Sequence, residues 1–186
     1  MSRFNVTNTP IQGLKLIERT RRGDQRGFFE RVFCDQELGS VLGSRSIVQI
    51  NRSFTVKKGA LRGLHFQYPP NAEMKLVTCL KGEIFDVAVD LRRGSPSFLQ
   101  WYAGRLSASS SRMLVVPEGF AHGFQTLTSD CELMYLHTAH YEQAAGDGLN
   151  ALDPKLAIKW PLAITDLSDR DKNQPMIDKR FSGLVL

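Results

Sequence analysis

Ile84-Phe85-Asp86-Val87-Ala88-Val89-Asp90-Leu91 is the stretch whose pattern decides the fold class. Phe85, Val87, Val89 and Leu91 alternate with Asp86, Ala88 and Asp90. A period of two marks a strand, because successive side chains leave on opposite faces. Shorter apolar runs lie on either side, at 46–51, 76–80, 113–116 and 132–138, with frequent turn signals between them. Only 35–42 and a short piece after the Ser168 cap signal suit a helix. Many short strands with Gly and Pro punctuation predict an all-β fold, an antiparallel sandwich or barrel with short peripheral helices. From Tyr141 onward the strand character weakens, so the last third is expected to wrap the barrel, and residues 1–186 read as one domain.

Composition narrows the class further. Of 186 residues, 42% are hydrophobic and 23% charged, which excludes a disordered tail, a collagen-like fibre and a coiled coil. No apolar run approaches the ~18–20 residues of a membrane span, and the polar first twelve residues lack a secretory core. A cytoplasmic chain with no membrane partner is expected. The net charge of +5 is spread over short groups such as Lys57-Lys58 and Arg92-Arg93, not the dense footprint that nucleic acid requires. Cys34, Cys79 and Cys131 are odd in number and far apart, as in reduced cytosolic thiols.

Candidate chemistry gathers in two segments. Gly59-Ala60-Leu61-Arg62-Gly63-Leu64-His65-Phe66-Gln67 is followed by Glu73, Lys75 and Gly82, and Pro117-Glu118-Gly119-Phe120-Ala121-His122 forms the second. Together they resemble the two motifs of the cupin superfamily, which implies an antiparallel jelly-roll barrel. Gln67 stands where the motif has its second histidine. An amide is a poor ligand for a first-row metal, so no metal is expected. What remains is a cup with imidazoles, a lysine, arginines and a tyrosine, a set suited to removing a proton next to a carbonyl. His65 is the candidate base, Lys75 the group that holds the developing enolate, and Tyr135 the acid on the opposite face.

Four stretches in order carry a closer resemblance: Asp24-Gln25-Arg26-Gly27-Phe28-Phe29, Gln49-Ile50-Asn51-Arg52-Ser53, Leu61 to Gln67, and Leu167-Ser168 with Asp171. Across nearly its whole length the chain resembles the dTDP-4-dehydrorhamnose 3,5-epimerase family. The resemblance implies a homodimeric jelly roll that epimerises a nucleoside-diphosphate 4-keto-6-deoxyhexose with no metal or organic cofactor. Position by position, it makes His65 the general base, Asp171 the carboxylate that fixes its tautomer, and Tyr135 the proton donor. Tyr141 matches the aromatic that stacks on the nucleotide base. Arg26 and Arg62 match diphosphate ligands. Gln49 and Asn51 match substrate-binding amides, and Lys75 and His122 match polar groups around the sugar ring. His137 and His140 match no role and read as surface or rim residues, while Trp101 and Trp160 read as packing residues.

Arg62 and His65 are three apart, so strict alternation would send them to opposite faces. Both enter one cup only if the strand is irregular, and the expected place is Gly63. The chain also departs from the family. Arg31 stands where the family has a nucleotide-contacting glutamate, and Gly146 and Ala151 stand where an acidic residue and a tryptophan are common. The chemistry residues are kept while the nucleotide side has changed. The other readings are therefore a single-centre 3- or 5-epimerase, an enzyme of CDP- or GDP-linked sugars, a non-catalytic sugar-binding cupin, and a metal-dependent cupin oxygenase.

Overall fold

The computed structural model describes residues 2–186. In chain order the elements are β1 (Phe4–Asn8), β2 (Lys15–Arg19), β3 (Arg21–Asp24), β4 (Gly27–Glu30), α1 (Gly39–Leu42), β5 (Gln49–Thr55), β6 (Ala60–Gln67) and β7 (Lys75–Lys81). They continue with β8 (Glu83–Asp90), β9 (Trp101–Ser107), β10 (Arg112–Val116), β11 (Phe120–Thr126), β12 (Cys131–His137), β13 (Gly146–Gly148), β14 (Asp166–Leu167) and α2 (Asp169–Lys172). One sheet has the order β1-β2-β10-β7-β12-β5, the other β13-β6-β11-β8-β9 with β14 added parallel to β6. The two face each other as a cupin-type jelly roll, and β3 and β4 form a separate hairpin.

Side-chain parity creates three apolar layers. Between the sheets lie Val77, Cys79, Ile84, Ala88, Leu106, Leu114, Phe124 and Leu133. Outside the first sheet, Leu76, Met113, Val115 and Leu136 are covered by Leu38, Val41 and Leu42 around α1. Outside the second sheet, Val87, Val89 and Leu91 are covered by Leu149, Leu156, Ile177 and Leu184. The apolar face of the 84–91 strand is thus its outer one, and the last third of the chain is its lid. Trp101 and Trp160 pack there, their indole N–H groups donating to the Leu156 and Ala151 carbonyls at 2.9 Å. Leaving those four aliphatic side chains in water would cost about 1.5–3 kcal/mol each.

The differences from expectation are local. Only the last turn of 35–42, Gly39–Leu42, is helical, and residues 35–38 form turns. The strand expected at 46–51 lies at Gln49–Thr55, because it continues through Arg52 and Ser53 opposite β12. The free thiols are Cys34, Cys79 and Cys131. Among the described residues no helix is long and apolar enough to cross a membrane.

Candidate active site

One extra residue in β6 makes the site. His122 pairs with His65 and Phe124 with Arg62, so two steps on β11 answer three on β6. The bulge falls at Gly63, as expected, with φ of +122°. A Cβ there would meet the Gly123 Cα at 2.5 Å, and two glycines let the strands approach this closely. Past the bulge Leu64 faces outward into the covered layer, and both Arg62 and His65 border the inter-sheet cup.

His65 Nε2 lies 2.7 Å from Asp171 Oδ1. Asp171 is brought there by α2, whose N-cap Ser168 accepts the Asp171 N–H, and by the Gly63 N–H, which donates to Asp171 Oδ2 at 3.3 Å. Burial pushes the Asp171 carboxyl up, but the bond to His65, its charge and the two N–H and hydroxyl contacts outweigh this and hold it below its ordinary value. As a carboxylate it only accepts, so His65 Nε2 carries a hydrogen, and in the neutral ring the lone pair is on Nδ1.

The facing wall comes from the other sheet. Tyr135 shares one parity of β12 with Leu133, so its phenol points into the cup, where its oxygen is 3.1 Å from Ser53 Oγ. Burial raises the Tyr135 phenol above its ordinary range. His122 bonds Asp86 at 2.8 Å and meets the Tyr135 ring edge-on at 6.2 Å. Asp86 Oδ2 is buried with no hydrogen-bond partner among the described residues. Lys75 Nζ is 3.0 Å from Glu73, and its side chain is buried within the cup. Asn51, Ser53, Arg62, His65, Lys75, His122, Tyr135 and His137 border a single cavity of about 270 Å³. Gln49 and Tyr141 border the adjoining space with His65 and Lys75.

His137 corrects the surface-or-rim expectation. Its parity on β12 turns it inward beside Tyr135, 8% exposed, while His140 is exposed. Counting two residues on from Tyr135 is the signal that would have found it. Motif reading includes Glu73 but not its bond to His137, and it gives no role to Asp86, the partner of His122, or to Arg170, which borders the site from α2.

Arg26 is not brought to the cup of its own chain. It stands on the β3–β4 hairpin, its side chain 89% exposed and paired with Asp24, against a groove it shares with Phe28 and Phe29. Arg31 bonds Glu37, and Asp147, next to Gly146, accepts the Tyr68 hydroxyl. Gln67 is 4% exposed and fully engaged: Nε2 donates to the carbonyls of Asn71 and His140, and Oε1 accepts the Glu142 N–H at 2.7 Å. Among the described residues no three His, Cys, Asp or Glu side chains are grouped to hold a metal ion.

The polar cup of the jelly roll thus sets a carboxylate-bound imidazole and a buried phenol on facing sheets. A model of dTDP-4-dehydrorhamnose 3,5-epimerase matches residues 8–179. The dTDP-4-dehydrorhamnose 3,5-epimerase of Salmonella typhimurium is 42% identical over 94% of this chain and 96% of its own. A dTDP-4-dehydrorhamnose 3-epimerase of Streptomyces niveus is 37% identical over 94% of this chain and 85% of its own. The Legionella pneumophila dTDP-6-deoxy-D-glucose-3,5-epimerase, solved with dTDP-4-keto-L-rhamnose, superposes with a TM-score of 0.91 at 40% identity, covering 98% of this chain and 99% of that one. The chain belongs to the dTDP-4-dehydrorhamnose 3,5-epimerase family and is an isomerase.

Proposed function

We propose that the protein epimerises dTDP-4-dehydro-6-deoxyglucose at C3 and C5 to dTDP-4-dehydrorhamnose, as a single domain over residues 1–186. The observation that carries this is the facing of His65 and Tyr135 across one cavity from opposite sheets. The C4 ketone acidifies the protons on C3 and C5. His65 Nδ1 takes one of them, and the electron pair moves into the ring and onto the C4 oxygen as an enolate. Lys75 supplies positive charge to that oxygen. Tyr135 gives its proton to the other face, which inverts the centre; the proton on His65 then leaves to solvent and the Tyr135 phenolate takes one up from solvent. Asp171 orients the imidazole throughout. Arg62, Gln49, Asn51, His122 and Tyr141 bind the sugar and its nucleotide. The route uses protein groups alone, so no metal or organic cofactor takes part.

We further propose a homodimer acting in the cytoplasm. Arg26 is remote from its own cup, and Phe28 and Phe29 on the same hairpin are 62% and 63% exposed. A second copy that receives this hairpin would bury both rings and bring Arg26 to a diphosphate.

The test is solvent-deuterium incorporation. In D2O with the substrate generated in situ, two deuteriums with inverted C3 and C5 establish the reaction, and His65→Ala incorporates none. Wild-type exchange in His65→Ala would overturn the base assignment. A single-centre reaction is the second reading, favoured by the 3-epimerase name of the Streptomyces niveus relative. One deuterium per turnover would establish it.

A further inference from the structure

His137 belongs to no motif, yet it is the middle of a continuous hydrogen-bonded line. Glu73 accepts from Lys75 Nζ on Oε1 at 3.0 Å and from His137 Nδ1 on Oε2 at 2.7 Å. His137 Nε2 is 3.3 Å from Asn51 Nδ2. Asn51 Oδ1 accepts from Gln49 Nε2 at 3.2 Å, and Gln49 Oε1 accepts the Tyr141 N–H at 3.0 Å. The line therefore joins the lysine of the cup to the loop that carries Tyr141.

Its direction depends on a single proton. Burial pushes the Glu73 carboxyl up, but His137 and Lys75 outweigh this and keep it ionised, so it accepts at both ends. His137 Nδ1 consequently holds its hydrogen whatever the charge of the ring. When the ring is neutral, Nε2 accepts from the Asn51 amide nitrogen, and every group in the line is satisfied as found. When the ring is cationic, Nε2 becomes a donor and Asn51 must turn its oxygen toward it. The Asn51 nitrogen then faces Gln49, and Gln49 keeps a bond to it by presenting its own oxygen there, which releases the Tyr141 N–H. His137 is held by its 2.7 Å bond to Glu73, with the Tyr135 ring beside it at 6.1 Å and 28°.

The charged and titratable groups facing His137 are Lys75 from β7, Glu73 from the connection before it and Tyr135 on its own strand. Arg52 of β5, Arg62 and His65 of β6 and His122 of β11 share its cavity, and Asp147 and Arg170 border the adjoining one. Of these, only Glu73 bonds the ring.

We propose that His137 is a positioning residue for the substrate, whose proton sets which way the Asn51 and Gln49 amides face and whether Gln49 holds the Tyr141 loop. This rests on the reading that Asn51, Gln49 and Tyr141 contact the sugar nucleotide.

The test separates the two. Side-chain amide signals of Asn51 and Gln49 are followed by NMR across the pH range in which imidazoles ordinarily titrate, about 5 to 8, in the ligand-free protein. Both are expected to shift with the midpoint of the His137 ring itself, and to lie flat in His137→Gln. Amide signals that ignore the ring midpoint in the wild type overturn the proposal even where no variant folds. In turnover assays the wild-type KM is expected to change about fivefold over that range, the size of one ordinary hydrogen bond, with the change lost in His137→Gln and kcat held within about twofold. A KM profile in His137→Gln that matches the wild type also overturns it. An enzyme that turns over no sugar nucleotide sinks the substrate reading, while the amide titration still decides the role of His137.

Discussion

Asp171 reaches His65 across 106 residues of chain, with 2.7 Å between carboxylate and imidazole. The contact ties the last helix to the bulged strand, and the same carboxylate takes the Gly63 N–H within the bulge. One side chain therefore both orients the ring and links α2 to β6. Asp171→Asn is expected to lower kcat by about 10²-fold with little change in KM, as measured by steady-state epimerisation, because the amide can present the wrong partner to Nε2.

The same carboxyl lends the fold a pH dependence. Its value in the folded chain lies below its unfolded one, so its stabilisation is complete above the unfolded value of about 3.9 and is lost as pH falls through the folded one. The urea midpoint should decline more steeply in the wild type than in Asp171→Asn as pH falls from about 5 to about 2. Parallel declines would refute this.

Tyr135 has the opposite sign. Burial favours the neutral phenol and raises its value above the unfolded one, so its stabilisation is present below about pH 10 and is lost as pH rises through the folded value. The ultraviolet difference titration of wild type against Tyr135→Phe should show one phenol ionising above about 10. Tyr135→Phe should also lose inverted product, since the enolate formed by His65 has no donor on its far face.

Gly63→Ala forces a Cβ to within 2.5 Å of the Gly123 Cα at a positive φ. Destabilisation of roughly 3 kcal/mol or more is expected by urea unfolding, because backbone rather than a flexible side chain stands in the way. A variant as stable as wild type would mean that the bulge slips without cost.

Phe28→Asp combined with Phe29→Asp should shift the protein from dimer to monomer by sedimentation and weaken binding of thymidine diphosphate by about tenfold or more. A monomeric wild type would refute the hairpin exchange.

The period-two pattern of 84–91 made the strand legible but not its inner face. Outer positions Val87 and Val89 are apolar because the C-terminal third covers them, and inner Asp86 is polar because it serves His122. An antiparallel sandwich or barrel, the capped α2 and the bulge at Gly63 followed from turn residues and parity, and the jelly roll from the resemblance to the cupin motifs. His65, Arg62, Lys75, His122 and Tyr135 converge because motifs hold local spacing. Partners fixed by sheet pairing were hidden: His137 and Glu73 are 64 residues apart, and no spacing rule joins them. Arg26 was legible as a residue but not as a location, since a hairpin that leaves its own barrel has no signature in local pattern.

Gln67 is a strut for the mouth of the barrel. Its one oxygen and one nitrogen are bound to the backbone at Asn71, His140 and Glu142, on both loops at the mouth. An imidazole at that position has no planar amide with which to hold them all. Gln67→His would therefore untie the loop beside Tyr141 before its ring offered anything to the cup. The side chain that departs from the cupin motif is the one that laces the rim together.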